Sequence, residues 1–93
     1  LGLTAAVEAG DLSAARLREM AEQHDAVLVV LAGYLRRVHV PPGFERRIVN
    51  IHPALLPAFG GRGMYGDRVH RAVIDAGCRV SGCTVHLVDE EYD

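Results

Sequence analysis

Six consecutive apolar residues, Val27-Leu28-Val29-Val30-Leu31-Ala32, constrain this chain more than any other stretch. A continuous, β-branched run of this kind marks a strand buried on both faces, as in parallel sheets. Gly33 ends it. Helical periodicity flanks the run. From Asp11 a helix is expected, with Asp11 or Ser13 as N-cap. Ala14, Leu17, Met20 and Ala21 recur on one stripe of it, while Arg16, Arg18, Glu19 and Glu22 face water. A second helix is expected from about Asp67 to Ala76, with Val69, Ala72, Val73 and Ala76 as its buried stripe and Gly77 at the C′ position. The last strand is expected over about Ser81 to Val88, with Thr84, His86 and Val88 on one face and Cys83, Val85 and Leu87 on the other. This alternation predicts an α/β layer fold with a largely parallel sheet.

A second strand carries the chemistry. Ile48-Val49-Asn50-Ile51-His52 is stopped by Pro53, which cannot donate to a ladder. Residues two apart project from one face, so Asn50 and His52 stand side by side, with Val49 and Ile51 turned the other way into a core. Ligands of open α/β sheets bind beyond the carboxyl ends of the strands, which is where this amide and imidazole are expected. Asn50 offers an amide donor and His52 a proton-carrying ring, a pair suited to a carbonyl whose oxygen becomes negative during attack. A nearby carboxylate would keep the ring cationic, and the acidic turn Asp89 to Asp93 could supply one. The loop that follows, Pro53 to Gly63, holds Pro53, Pro57, Gly60, Gly61 and Gly63, and so has a shape to hold. Tyr34 to Val38, at the carboxyl end of the first strand, reads either as a pocket wall or as an ordinary strand-to-helix turn. Phe44 to Arg47 reads as a helical turn feeding the second strand.

Composition excludes several classes. The formal net charge of −2 leaves no electrostatic footprint for nucleic acid. No apolar run approaches membrane-spanning length, and no positively charged leader opens the chain. The five histidines match no compact metal motif. Cys78 and Cys83 read as reduced thiols of a cytoplasmic protein. No serine or cysteine sits in a nucleophile elbow, which favours direct transfer over a covalent enzyme intermediate. Walker-type and dinucleotide fingerprints are also missing.

Three motifs, LVVLAGYLRRV (Leu28 to Val38), RIVNIHPALLPAFGGRGMYG (Arg47 to Gly66) and SGCTVHLVDEEYD (Ser81 to Asp93), resemble in order and content the folate-dependent formyltransferases, above all the branch that acts on glycinamide ribonucleotide. The resemblance implies a Rossmann-like formyltransferase fold, a mostly parallel sheet flanked by helices. It implies transfer of a formyl group from 10-formyltetrahydrofolate, as co-substrate, to the amine of glycinamide ribonucleotide in purine synthesis, without a metal. Carried over to this sequence, the family's catalytic residues fall on Asn50, His52 and Asp93. Asn50 would hydrogen-bond the formyl oxygen, His52 would be the acid that stabilises the tetrahedral intermediate, and Asp93 would tune that histidine. Leu35, Arg36, Arg37 and Val38, together with Asn50, would border the pterin of the donor, with Ile48 in its apolar floor and the turn Asp89 to Asp93 on its other side. In such proteins the Leu56-Pro57 bond can be cis, although trans is the expectation from sequence alone. Thr84 and His86 read as structural support, and Arg62 and His70 as candidates for the phosphate side of the substrate.

The resemblance stops short at both ends. The chain reads as one partial formyltransferase domain over residues 1–93, lacking the N-terminal strand and phosphate-binding turn and the C-terminal part. On that reading the piece is inactive alone. Formyltetrahydrofolate deformylase and methionyl-tRNA formyltransferase share part of the NIHPALLP motif and are the alternatives within the family. A non-catalytic folate-binding domain is the alternative outside enzyme chemistry.

Overall fold

The computed structural model describes residues 3–8 and 10–89. Five elements follow one another: α1 (Ala14–Gln23), β1 (Val29–Leu31), β2 (Ile48–His52), α2 (Asp67–Asp75) and β3 (Thr84–Leu87). The strands form one sheet in the order β1-β2-β3. β1 runs parallel to β2, with Leu31 opposite Asn50. β3 runs antiparallel to β2, placing His86 opposite Asn50 and Thr84 opposite His52. The expected parallel pairing is therefore present between β1 and β2, while the third strand makes the sheet mixed. Its polar-apolar alternation, Thr84-Val85-His86-Leu87, is the pattern antiparallel strands carry.

Opposite residues share a face, so the register sorts the sheet into two. Val29, Leu31, Ile48, Asn50, His52, Thr84 and His86 lie on one side; Val30, Val49, Ile51, Val85 and Leu87 lie on the other. α1 covers part of the first face: Leu17, Ala21, Val38, Phe44 and Ile48 form a buried cluster against which Val29, Leu31, Leu12 and Tyr34 pack. Ser13 is the N-cap, its hydroxyl accepting from the Arg16 N–H at 3.1 Å. That bond satisfies one of the donors a helix start leaves unpaired.

The second face differs from expectation. Val30 is 54% exposed, Ile51 40% and Val85 61%, so the strand read as buried on both sides is covered on only one. The reason is the placement of the helices. α1 lies on the first face, and α2 packs against the loop that precedes it: Ala54, Val69 and Val73 make a second cluster with Phe59 and Met64. α2 ends on Gly77 with φ +73°, where the Gly77 N–H reaches Ile74 O at 2.9 Å and the Cys78 N–H reaches Val73 O at 3.3 Å. This paired closure is the glycine-terminated stop the sequence predicts.

Between β1 and β2 the chain makes two successive turns (Phe44 N–H to Pro41 O, Arg47 N–H to Phe44 O, both 3.0 Å) in place of the expected helical turn. Arg46 between them has φ +65°, which no helix continues. Arg47 donates to the carbonyls of Ala26 at 2.8 Å and Val27 at 3.1 Å, and its guanidinium stacks over Phe44 at 4.4 Å from the ring centre. This arginine thereby holds the approaches to β1 and β2 side by side.

Candidate functional site

Both parallel strands end at a cleft of about 400 Å³. The size suits a small ligand, since such sites hold about 300–1,000 Å³. One wall is the segment after β1. Gly33, with φ +75°, reverses the chain so that Tyr34, Leu35, Arg36, Arg37 and Val38 line the cleft. The end of β2 supplies Asn50, His52 and Pro53. The opposite wall is the loop after it, through Gly61, Gly63, Met64 and Tyr65, and β3 with its continuation adds His86, Val88 and Asp89.

His52 is only 2% exposed. Its Nε2 lies 2.7 Å from the carbonyl oxygen of Phe59. A carbonyl only accepts, so Nε2 carries a proton and donates it. Phe59 holds this position with φ +55°, a conformation uncommon outside glycine. The loop that brings its carbonyl there contains a cis Leu56–Pro57 bond, where the sequence alone favours trans. A second tie comes from β3. Thr84 Oγ1 donates to Ala54 O at 2.7 Å and accepts from the Leu56 N–H at 3.0 Å. One hydroxyl thus fixes two backbone groups of the loop that fixes the histidine.

Asn50 is held by its cross-strand neighbour. Its Nδ2 lies 3.2 Å from His86 Nε2, and His86 Nδ1 lies 3.1 Å from Leu87 O. The carbonyl accepts from a protonated Nδ1, which leaves the Nε2 lone pair to accept from Asn50. The second Nδ2 hydrogen of Asn50 then remains to serve a ligand. Arg36 pairs with Asp11, and the hydrogen bond it donates to that carboxylate, then the carboxylate's charge, raise the guanidinium pKa above its ordinary value. The arginine is charged at any pH of interest.

The cleft therefore gathers Leu35, Arg36, Arg37, Val38, Asn50 and His52 around one space. Asp93 lies outside the described residues, as does the turn from Glu90 onward. Ile48 is fully buried in the α1 cluster and does not line the cleft, so its reading as part of the pterin floor is replaced by a core role. Arg62 and His70 are exposed and stand apart from the cleft walls. Sequence reasoning missed the contribution of Met64 and Tyr65 and the carbonyl of Phe59. The density of proline and glycine announced a shaped loop, but a backbone acceptor carries no side-chain signal.

Known proteins resemble this chain in sequence and in fold. A family model described as formyl transferase matches residues 4–93. The chain is 51% identical over 84 residues to the chloroplastic phosphoribosylglycinamide formyltransferase of Arabidopsis thaliana, covering 88% of this chain and 29% of that protein. It is 52% identical over 84 residues to its namesake in Vigna unguiculata, covering 88% and 27%. Among solved structures, glycinamide ribonucleotide transformylase 1 from Symbiobacterium toebii superposes with a TM-score of 0.72 at 43% identity, covering 85% of this chain and 36% of that one. The chain thus spans about a third of the length of the proteins it resembles.

Proposed function

The chain belongs to the formyl transferase family, and we propose that the protein moves a formyl group from 10-formyltetrahydrofolate to the primary amine of glycinamide ribonucleotide. The observation that carries this reading is the placement of Asn50 and His52 two residues apart on one face at the carboxyl end of β2, both lining the cleft. The cleft also fits the donor in kind: Tyr34, Leu35, Val38, Met64 and Val88 give it apolar walls, and Asn50 and His52 add a few hydrogen-bonding groups, a surface for a flat heterocycle.

In this reading the amine nitrogen attacks the formyl carbon and the carbonyl oxygen becomes an oxyanion. Asn50 Nδ2, its other hydrogen on His86, donates to that oxygen. Such a donor is already aimed before the charge forms, so no reorganisation is needed during the reaction. His52, beside Asn50 on the same strand face and lining the same cleft, is the group that exchanges a proton with the reacting atoms. The amine forms its new carbon–nitrogen bond and loses a proton. The donor nitrogen leaves with the old bond's electron pair and takes a proton up. Leu35 to Val38 would hold the donor's ring through backbone groups, and Asp93 would tune His52. A reducing compartment, the cytoplasm or a plastid, fits the two exposed free thiols Cys78 and Cys83.

The test is His52→Ala in the full-length protein. Loss of a positioned proton carrier is expected to lower kcat by about 10²–10⁴-fold, while the dissociation constant for tetrahydrofolate stays within a factor of about two. Turnover equal to that of the unaltered protein would reject the role given to His52.

A further inference from the structure

The wall formed by residues 34–38 lies outside the strands: β1 stops at Leu31, and Tyr34 and the residues after it follow an irregular path. Side-chain ties are seen at both of its ends. Val38, 5% exposed, anchors the far end in the α1 cluster. The near end is anchored in another way. The Leu12 N–H donates to the phenol oxygen of Tyr34 at 3.2 Å, across 22 positions of sequence. Leu12 directly precedes the N-cap Ser13, and its side chain packs on the same cluster as the Tyr34 ring. Arg36 meets Asp11, next to Leu12, in an ion pair exposed at both partners. An exposed pair adds little. The half-buried phenol is the stronger tie.

We infer that Tyr34 is a positioning residue for the donor cleft, its hydroxyl fastening the 34–38 wall to the start of α1 so that the wall is ordered before the ligand arrives. The inference rests on the proposed use of the cleft for a folate. A wall ordered in advance spares the ligand the entropic cost of ordering it. The Tyr34 hydroxyl is taken up by the Leu12 N–H, so its effect belongs to binding and not to the chemical step.

The experiment is Tyr34→Phe in the full-length protein, which removes one oxygen and keeps the ring in its cluster. Tetrahydrofolate binding, kcat with saturating donor, and amide hydrogen exchange of the peptide covering residues 34–38 are measured together. The expected result is a dissociation constant about fivefold weaker, the weight of one ordinary hydrogen bond. With it come a kcat within twofold and faster exchange at 34–38. An unchanged dissociation constant overturns the inference, even if the melting temperature falls, because a purely structural role moves stability alone. Failure of the unaltered protein to bind tetrahydrofolate overturns the folate reading, and unchanged exchange at 34–38 overturns the tie itself.

Discussion

Thr84 shows how much one hydroxyl can do. It both donates and accepts, and its two partners, Ala54 O and the Leu56 N–H, are backbone groups of the loop after β2. In the sequence Thr84 read as structural support on the face of His86, with no partner named. That it fixes the loop carrying the Phe59 carbonyl follows from the register that sets it opposite His52. Thr84→Val keeps the shape and removes both bonds. Two part-buried groups then lose their partners, and stability is expected to fall by about 1–3 kcal/mol, read from the denaturation midpoint. Because the loop also orients His52, kcat should fall with it, and Thr84→Ser should restore both. A valine variant with unaltered stability and turnover would show that water replaces the hydroxyl without loss.

The elements obey their local signals where a local signal exists. Ser13 caps α1, the Leu17 and Ala21 stripe is buried at 5% and 6%, and Gly77 stops α2 in the left-handed conformation. At Gly77 a Cβ would meet nothing within 4 Å, so the only cost of a side chain there is conformational. Gly77→Ala is expected to destabilise by about 1–2 kcal/mol, measured by thermal unfolding. A neutral result would mean that the turn after α2 relaxes freely. The loop between β2 and α2 was different. Its prolines and glycines marked a rigid connection, yet its function as the second cleft wall depends on α2 pulling Ala54, Phe59 and Met64 into one cluster around Val69 and Val73. No window of sequence contains that cluster.

At the scale of the molecule, the apolar sheet face of Val30, Ile51, Val85 and Leu87 is largely open. Contiguous apolar surface of this kind marks a site of association or a surface that needs a cover. The isolated 93-residue chain is therefore expected to bind a hydrophobic dye strongly. The double substitution Val85→Thr and Leu87→Thr should lower that signal severalfold without moving the cleft, because these residues face away from His86 and Thr84. Equal dye fluorescence before and after the change would place the exposed surface elsewhere. Only the register assigns these residues to one sheet side, and only the positions of α1 and α2 leave that side uncovered.

Asn50 and His52 were readable from the chain itself because strand geometry is local. Period two and a terminating proline put an amide and an imidazole on one face at a strand end, whatever surrounds them. The helix stripes and their caps were readable for the same reason, since each depends on residues within one or two turns. The ring nitrogen that His52 commits to Phe59, the use of His86 to orient Asn50, the tie from Tyr34 to Leu12 and the bare face of the sheet were not. Each joins groups that are distant in sequence or belong to the backbone. Such contacts exist only once the strands have chosen their partners and the helices their sides.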